Sequence, residues 1–472
     1  MVSRIVIVSN RVVVPEPGKS APPGGLAIAV NAAMKGRTGI WFGWSGTVDD
    51  NPALEPRSAV RDNITYVVTD LSNADYQEYY NGFANRVLWP IMHYRVDLAE
   101  FNRSDLTGYL RVNGLFADQL AKLVEPDDII WVHDYHLIPL ARELRKRGLN
   151  NPIGFFLHIP CPPPDLLFTI PRQELSLGVL SHYDLVGFQT ENDCANYGRY
   201  LAQSRATVSR DGTAYSVDGR VTRIGAFPVS IETADYAELA RGAADSPFTR
   251  QVESSLGGRG LFVGVDRLDY SKGLVHRLEG FGHFLATEER WRDKVTLLQI
   301  TPKSREEIPE YESMVRAVNE LVGDVNGTYG EADWTPIRYV NRSYSRTELA
   351  GLYRMASAAL VTPLRDGMNL VAKEFVAAQD PANPGVLILS QFAGAAAELG
   401  EALIVNPHET EGMAAAMGQA LEMPLDERVA RHAAMFERIA RNDILAWAES
   451  FLARLIETRR SFLVGQLRSL FS

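Results

Sequence analysis

Gly260-Leu261-Phe262-Val263-Gly264-Val265 runs directly into Asp266-Arg267-Leu268-Asp269-Tyr270-Ser271-Lys272-Gly273. An uncharged, apolar run of this length is the pattern of a strand buried on both faces, and the charged turn after it leads into a helix. Toward the C-terminus the pattern recurs at residues 295–300, 337–340, 359–361, 386–389 and 402–405, alternating with helical stretches. Toward the N-terminus it recurs at residues 4–9, 64–70, 128–133, 153–158 and 185–188, with helix-period segments at 106–123 and 137–147. Alternation of this kind predicts an α/β protein with parallel sheets covered on both faces. Around residues 206–225 it gives way to short strands split by Asp211-Gly212 and Asp218-Gly219, hairpin signals that predict an antiparallel ribbon closing a first domain. Residues 232–256 read as helix, and residues 425–472 as helical throughout. The expected division is a first Rossmann-like domain over residues 1–230, a second over 231–445 and a helical tail over 446–472.

A length of 472 residues agrees with two generous domains at roughly 150 or more residues each. The chain is 46% hydrophobic and 22% charged, an ordinary globular composition, with no repeat and no Gly/Ser linker. A formal net charge of −10 argues against a general attraction to nucleic acid or anionic membrane, leaving room for local basic pockets. Cys161 and Cys194 form neither a disulfide framework nor a zinc pattern, as expected of a reducing compartment. The opening apolar run is too short for a signal peptide, and no segment reaches the ~18 apolar residues of a membrane span. The expectation is a soluble, cytoplasmic protein.

Ligands of open α/β sheets bind beyond the carboxyl ends of the strands, so chemistry is sought there. Ser9-Asn10-Arg11 ends the first strand, and Gly24-Gly25 precedes a helical stretch, where backbone N–H groups can approach a phosphate or simply form a loop and cap. No GxGxxG or Walker loop is present. Trp131-Val132-His133-Asp134-Tyr135-His136 turns from strand to helix and is compatible with a metal site, a structural strand end, or a sugar site in which Asp134 accepts hydroxyl hydrogen bonds. No further His/Cys cluster completes the metal alternative. His158 ends another strand ahead of Pro162, Pro163 and Pro164, which stiffen the exit. Arg267 and Lys272 suit two oxygens of a diphosphate, the first as a fork and the second as a point charge. Arg305 is a further anion candidate. The densest signal is residues 363–374: a strand meets an Asp366-Gly367 turn, a helix starts, and Glu374 is placed to accept hydrogen bonds from vicinal hydroxyls such as a ribose pair.

With these residues set out, the chain resembles the trehalose-6-phosphate synthase family, retaining glycosyltransferases of the GT-B fold. The resemblance covers nearly the whole chain and rests on Ser9-Asn10-Arg11, Trp41-Phe42-Gly43-Trp44-Ser45-Gly46, Tyr79-Tyr80-Asn81, Leu88-Trp89-Pro90, His133 to Leu137, Leu157 to Pro160, Arg267 to Gly273 and Thr362 to Glu374. It implies two doubly wound domains facing across a cleft, with the C-terminal helix packing back on the first. It also implies transfer of glucose from a nucleotide-diphosphate glucose, typically UDP-glucose, to glucose 6-phosphate, giving α,α-trehalose 6-phosphate. By motif match Arg11, Tyr80, Trp89, Asp134 and Arg305 hold the acceptor. Gly24, Gly25, His158, Arg267, Lys272, Tyr344, Asp366, Leu370, Val371, Ala372, Lys373 and Glu374 hold the donor. Arg267, Lys272, His158 and Asp134 carry the catalysis, with no metal or other cofactor. A homo-oligomer and a separate trehalose-phosphate phosphatase acting downstream are further implications. The chain departs from the family pattern at Cys161, where an aromatic residue is common, and at Pro22-Pro23. Arg11, Trp89, Asp134 and Arg305 argue against a transferase that couples other sugars or cyclitols, and Arg267, Lys272 and Glu374 against a catalytically silent sensor.

Overall fold

The apolar runs become strands of two sheets in the computed structural model, which describes residues 4–15, 30, 34, 37–204, 206–209, 212–302 and 309–470. Two compact units result: Met1–Pro228 together with Trp447–Ser472, and Val229–Ala446.

The first unit contains strands β1 (Ile5–Arg11), β2 (Gly39–Val48), β3 (Arg57–Arg61), β4 (Ile64–Leu71), β5 (Ile129–His133), β6 (Ile153–Phe156), β7 (Leu185–Phe188), β8 (Thr207–Val208), β9 (Ala214–Val217) and β10 (Arg220–Ala226). They form one sheet in the order β3-β4-β2-β1-β5-β6-β7-β10-β9-β8. The strands from β4 to β10 pair in parallel. Antiparallel partners close both edges, β3 at one and the β9–β8 ribbon at the other. The ribbon is made possible by Asp218 and Gly219, both at positive φ (+49° and +78°), as a two-residue type I′ turn requires. From β1 the chain winds outward to β2 and β4 and then in the other direction through β5, β6 and β7, so the switch point lies between β1 and β5.

Two features of this unit have no periodic signature. Tyr76–Leu88 forms a π-helix of 13 residues, closed by Trp89 N–H donating to Ala84 O. Gly154 in β6 and Gly187 in β7 leave a hollow for a ring: a Cβ at either would come within 2.8 Å and 2.7 Å of Phe451. Phe451 fills that hollow and stacks on Trp131 with centroids 4.6 Å apart, while Trp447 Nε1 donates to Phe227 O at 3.1 Å.

The second unit holds β11 (Gly260–Val265), β12 (Val295–Ile300), β13 (Ile337–Val340), β14 (Ala358–Val361), β15 (Val386–Ser390) and β16 (Leu403–Val405). They are parallel throughout, in the order β13-β12-β11-β14-β15-β16. This is the doubly wound Rossmann order, with its switch point between β11 and β14. Phe262, Phe281, Phe284, Leu297, Ile388 and Met413 are among its buried core.

Two helical expectations need correction. The stretch read as one helix over 232–256 is two, Thr233–Ala243 and Pro247–Leu256. Pro247 starts the second, and Ser246 caps it by accepting from Thr249 N–H. The tail is likewise two helices, Leu425–Arg441 and Ile444–Leu470, separated at Asn442 by a non-helical backbone (φ −108°, ψ 57°). Among the described residues no helix is long and apolar enough to cross a membrane.

Candidate active site

At the switch point of the second unit, the segments after β11 and β14 are tied to each other. Leu364 N–H donates to Ser271 O at 2.7 Å, which holds the turn carrying Lys272 against the start of the Asp366 loop. Asp269 shapes that turn by accepting from Ser271 N–H and Oγ, and Gly273 completes it at φ +66°. Only glycine fits there, because a Cβ would lie 2.4 Å from Thr362 O. Lys272 Nζ, half-buried, reaches Asp366 Oδ2 at 2.5 Å. Arg267 is exposed and has no hydrogen bond or ion pair among the described residues.

The Asp366 loop is pinned from its other side by a segment that the sequence patterns do not mark. Asp366 N–H donates to Phe392 O, Gly394 N–H to Asp366 O and Ala395 N–H to Met368 O. A Cβ on Gly394 would collide with Gly367 O, so this glycine permits the close approach. Asn369 then sits at φ +71° and starts the helix Leu370–Ala378 without capping it by its side chain. Its Nδ2 donates to Asp366 Oδ2 instead, and its buried Oδ1 has no partner among the described residues. The first N–H groups of the helix are thereby left for an anionic or hydroxyl-bearing ligand.

Farther along that helix, Lys373 and Glu374 part ways. Lys373 is fully buried, with Nζ on Glu398 (2.6 Å) and on Val229 O (2.8 Å). Burial lowers its ammonium from the usual range, an effect that Glu398 opposes. What Lys373 can offer a ligand is its backbone. Glu374 is half-buried, and desolvation pushes its carboxyl up to about 7 against the pull of Arg346. Arg346 lies over the Tyr236 ring at 5.1 Å and pairs with Glu232 at 3.4 Å. No sequence motif marked Arg346, since its relation to Glu374 arises only in three dimensions. Tyr344 is half-buried, packs 5.3 Å from Phe248 and accepts from Arg342 Nη2 at 3.0 Å.

At the switch point of the first unit, β1 delivers Arg11 and β5 delivers Asp134. Arg11 is exposed, its guanidinium 5.9 Å from the Trp44 ring and against Gly46, whose φ of +90° brings the backbone close. Tyr80, on the π-helix, stacks on His136 at 5.7 Å and packs against Trp44. Trp89 is buried against His93 and Tyr135. Asp134 has φ +75° and ψ 165°, backbone angles that side chains other than glycine rarely adopt, and its Oδ1 accepts from His158 N–H at 3.3 Å.

His158 Nε2 lies 3.1 Å from His133 Nδ1. Desolvation lowers His158 to about 3 and holds His133 well below the usual histidine range, so both rings are neutral near pH 7. Among the described residues no group of three or more His, Cys, Asp or Glu is placed to hold a metal ion. Gly24, Gly25 and Arg305 lie outside the described residues, as do Pro22-Pro23. Cys161 is buried, its N–H donating to Asp193 Oδ1 at 2.8 Å.

Two Rossmann-like units, each with charged groups at its switch point, are the architecture of the GT-B glycosyltransferases. Residues 4–457 match glycosyltransferase family 20, and the chain belongs to that family. It is 54% identical over 454 residues to a trehalose-6-phosphate synthase of Sinorhizobium fredii, covering 95% of this chain and 97% of that one. Among solved structures it is similar to the UDP-forming α,α-trehalose-phosphate synthase of Burkholderia xenovorans in complex with glucose-6-phosphate (TM-score 0.92, 44% identity, 96% and 100% of the two chains). It is also similar to an Escherichia coli trehalose-6-phosphate structure bound with UDP-2-fluoro glucose (TM-score 0.91, 46% identity, 96% and 99%).

Proposed function

We propose that this chain transfers glucose from UDP-glucose to glucose 6-phosphate with retention, forming α,α-trehalose 6-phosphate and UDP. The observation that carries the reading is near-full-length similarity, at 44% and 46% identity, to structures holding glucose-6-phosphate and a UDP-glucose analogue. The residues at the two switch points supply a chemistry that fits it.

Breaking the glucosyl–phosphate bond builds negative charge on the leaving diphosphate and oxocarbenium character on the sugar, so preorganised positive charge is the main requirement. Arg267, Lys272 and the uncapped N-terminus at Leu370 and Val371 meet it in the second unit. Ala372 and Lys373 contribute backbone, Glu374 accepts from the ribose hydroxyls, and Asp366 accepts from the transferred glucose. Tyr344, Gly24 and Gly25 complete the donor set. His158, being neutral, serves as a hydrogen-bond partner to the sugar rather than as a charged acid. Arg11, Tyr80, Trp89, Asp134 and Arg305 hold the acceptor, with the two arginines on its phosphate. In a front-face route the attacking hydroxyl of the acceptor passes its proton to the departing phosphate, and no carboxylate nucleophile is needed. The reaction proceeds without a metal, in the cytoplasm of a cell that supplies a separate phosphatase, and the working enzyme is a homo-oligomer.

A coupled assay of nucleoside diphosphate release with glucose 6-phosphate and UDP-, GDP- and ADP-glucose tests the proposal. The expected result is release dependent on the acceptor and fastest with UDP-glucose, with a non-reducing disaccharide phosphate in the product spectrum. Release that does not depend on glucose 6-phosphate would overturn it.

A further inference from the structure

We infer that Arg277 is a positioning residue for the diphosphate end of the donor site, an inference that rests on reading Arg267 and Lys272 as the diphosphate's ligands. Arg277 stands in the first turn of the helix Leu274–Thr287 and is 0% exposed, so it touches no ligand. Its guanidinium binds the segments that build the switch point. Nη1 donates to Asp266 Oδ2 at 2.6 Å, just past β11, and to Gln299 Oε1 at 3.0 Å in β12. Nε donates to Thr362 Oγ1 at 3.0 Å, just past β14, and Nη2 to Lys272 O at 3.4 Å. One planar group therefore fixes the ends of three strands and the backbone of the turn that presents Lys272.

The surroundings are built for that fork. A Cβ at Gly264 would lie 2.8 Å from Arg277 Nη1 and 2.4 Å from Gln299 Oε1, so β11 leaves out a side chain where the guanidinium sits. Lysine offers a single ammonium and cannot reach such divergent acceptors at once. A buried Arg–Asp pair is a poor source of stability, because taking both charges out of water costs about what their attraction returns. Its use here is geometric: it determines where the Arg267–Lys272 turn stands relative to β14 and the Asp366 loop.

The test compares UDP with uridine, two probes that differ by the diphosphate alone, by calorimetric titration of the full chain. Arg277→Lys is expected to fold, to bind UDP about ten- to a hundredfold more weakly, and to bind uridine within about twofold of the parent, with KM for glucose 6-phosphate unchanged. Thr362→Val removes one acceptor of the fork without touching a charge, and keeps the question open to measurement should Arg277→Lys not fold; a UDP loss of about two- to fivefold with uridine unaffected is expected. UDP affinity unchanged in the folded variants overturns the inference, and so does an equal loss of UDP and uridine, which a merely structural role would produce. Arg267→Ala serves as the control: if it leaves the UDP-to-uridine ratio unchanged, the diphosphate assignment itself fails, whereas if it lowers the ratio and the Arg277 and Thr362 variants do not, only the positioning role does.

Discussion

His133 and His158 share a hydrogen bond of 3.1 Å inside the first unit, and neither ring carries a charge near neutral pH. His133 packs 4.6 Å from Trp131, so the ring that orients His158 is itself held by the aromatic layer beneath. Desolvation opposes protonation of either histidine. For each group the folded-state value lies below the unfolded one near 6.5, so the stability they contribute is present above that pH and is lost as pH falls below it, for His158 toward about 3. Urea melts between about pH 7 and 4 should show stability falling with acid, less steeply in His158→Gln. Histidine NMR signals from His158 that titrate near pH 6.5 would contradict the assignment.

Asp134 occupies backbone angles suited to glycine, at φ +75° and ψ 165°. Strain of this kind costs of order 1–3 kcal/mol and is kept where position matters. Asp134→Gly and Asp134→Ala both remove the carboxylate, but only the first relaxes the backbone. Asp134→Gly is expected to be more stable than Asp134→Ala by roughly 1–3 kcal/mol, with both far less active than the parent. Equal denaturation midpoints for the two would remove strain from the account.

What could be read from the sequence followed from how each element is stabilised. β11 and β12 have the bounds that their apolar runs predict, because inner strands buried on both faces are apolar along most of their length, and β13, an edge strand that carries Arg338, keeps its expected bounds as well. β3 escaped because it is an edge strand with the mixed sequence Arg57-Ser58-Ala59-Val60-Arg61, and the π-helix because its five-residue spacing leaves no familiar stripe. Lys272 and Asp366 were each visible as charged residues past a strand. Their pairing across 94 residues was not, nor was the hold of Phe392–Ala395 on the Asp366 loop, since backbone-to-backbone bonds carry no residue signature. The positive φ of Asp134 and Asn369 is not legible either: Asp and Asn adopt it more readily than other non-glycine residues, but nothing in the sequence says which of them do.

Glu374 provides a pH test of the donor site. Desolvation raises its carboxyl to about 7, so the folded chain holds that proton more tightly than the unfolded one, and the stability associated with it declines as pH rises from about 4.5 toward 7. Ribose hydroxyls donate to the ionised form, so UDP binding should favour it. The ratio of UDP affinities between the parent and Glu374→Gln is expected to be larger at about pH 8 than at about pH 6. A ratio independent of pH would separate Glu374 from the ribose.

Activity is expected to persist in excess EDTA, because Arg267, Lys272 and the helix N-terminus at Leu370 already supply positive charge for a diphosphate. An absolute requirement for added divalent cation in the steady-state assay would refute this.

The final prediction separates two arginines, Arg267, in the turn just past β11, and Arg11, the last residue of β1. Charge grows on the diphosphate during the reaction, whereas the acceptor's phosphate does not react. A group on the former contributes more in the transition state than in the ground state, and its loss lowers kcat. Arg267→Ala should therefore reduce kcat by about 10²–10³-fold, comparable to removing one preorganised donor elsewhere. Lys272→Ala is expected to do at least as much, because it also strips Asp366 of the cation 2.5 Å away and leaves a mostly buried carboxylate unpaired. Arg11 is exposed and its loss leaves no buried charge, so Arg11→Ala should act chiefly by raising KM for glucose 6-phosphate while UDP affinity stays near that of the parent. Full steady-state kinetics in both substrates decide between these roles. If Arg11→Ala weakens UDP while Arg267→Ala leaves kcat untouched, the assignment of Arg11 to the acceptor and of Arg267 to the donor is wrong.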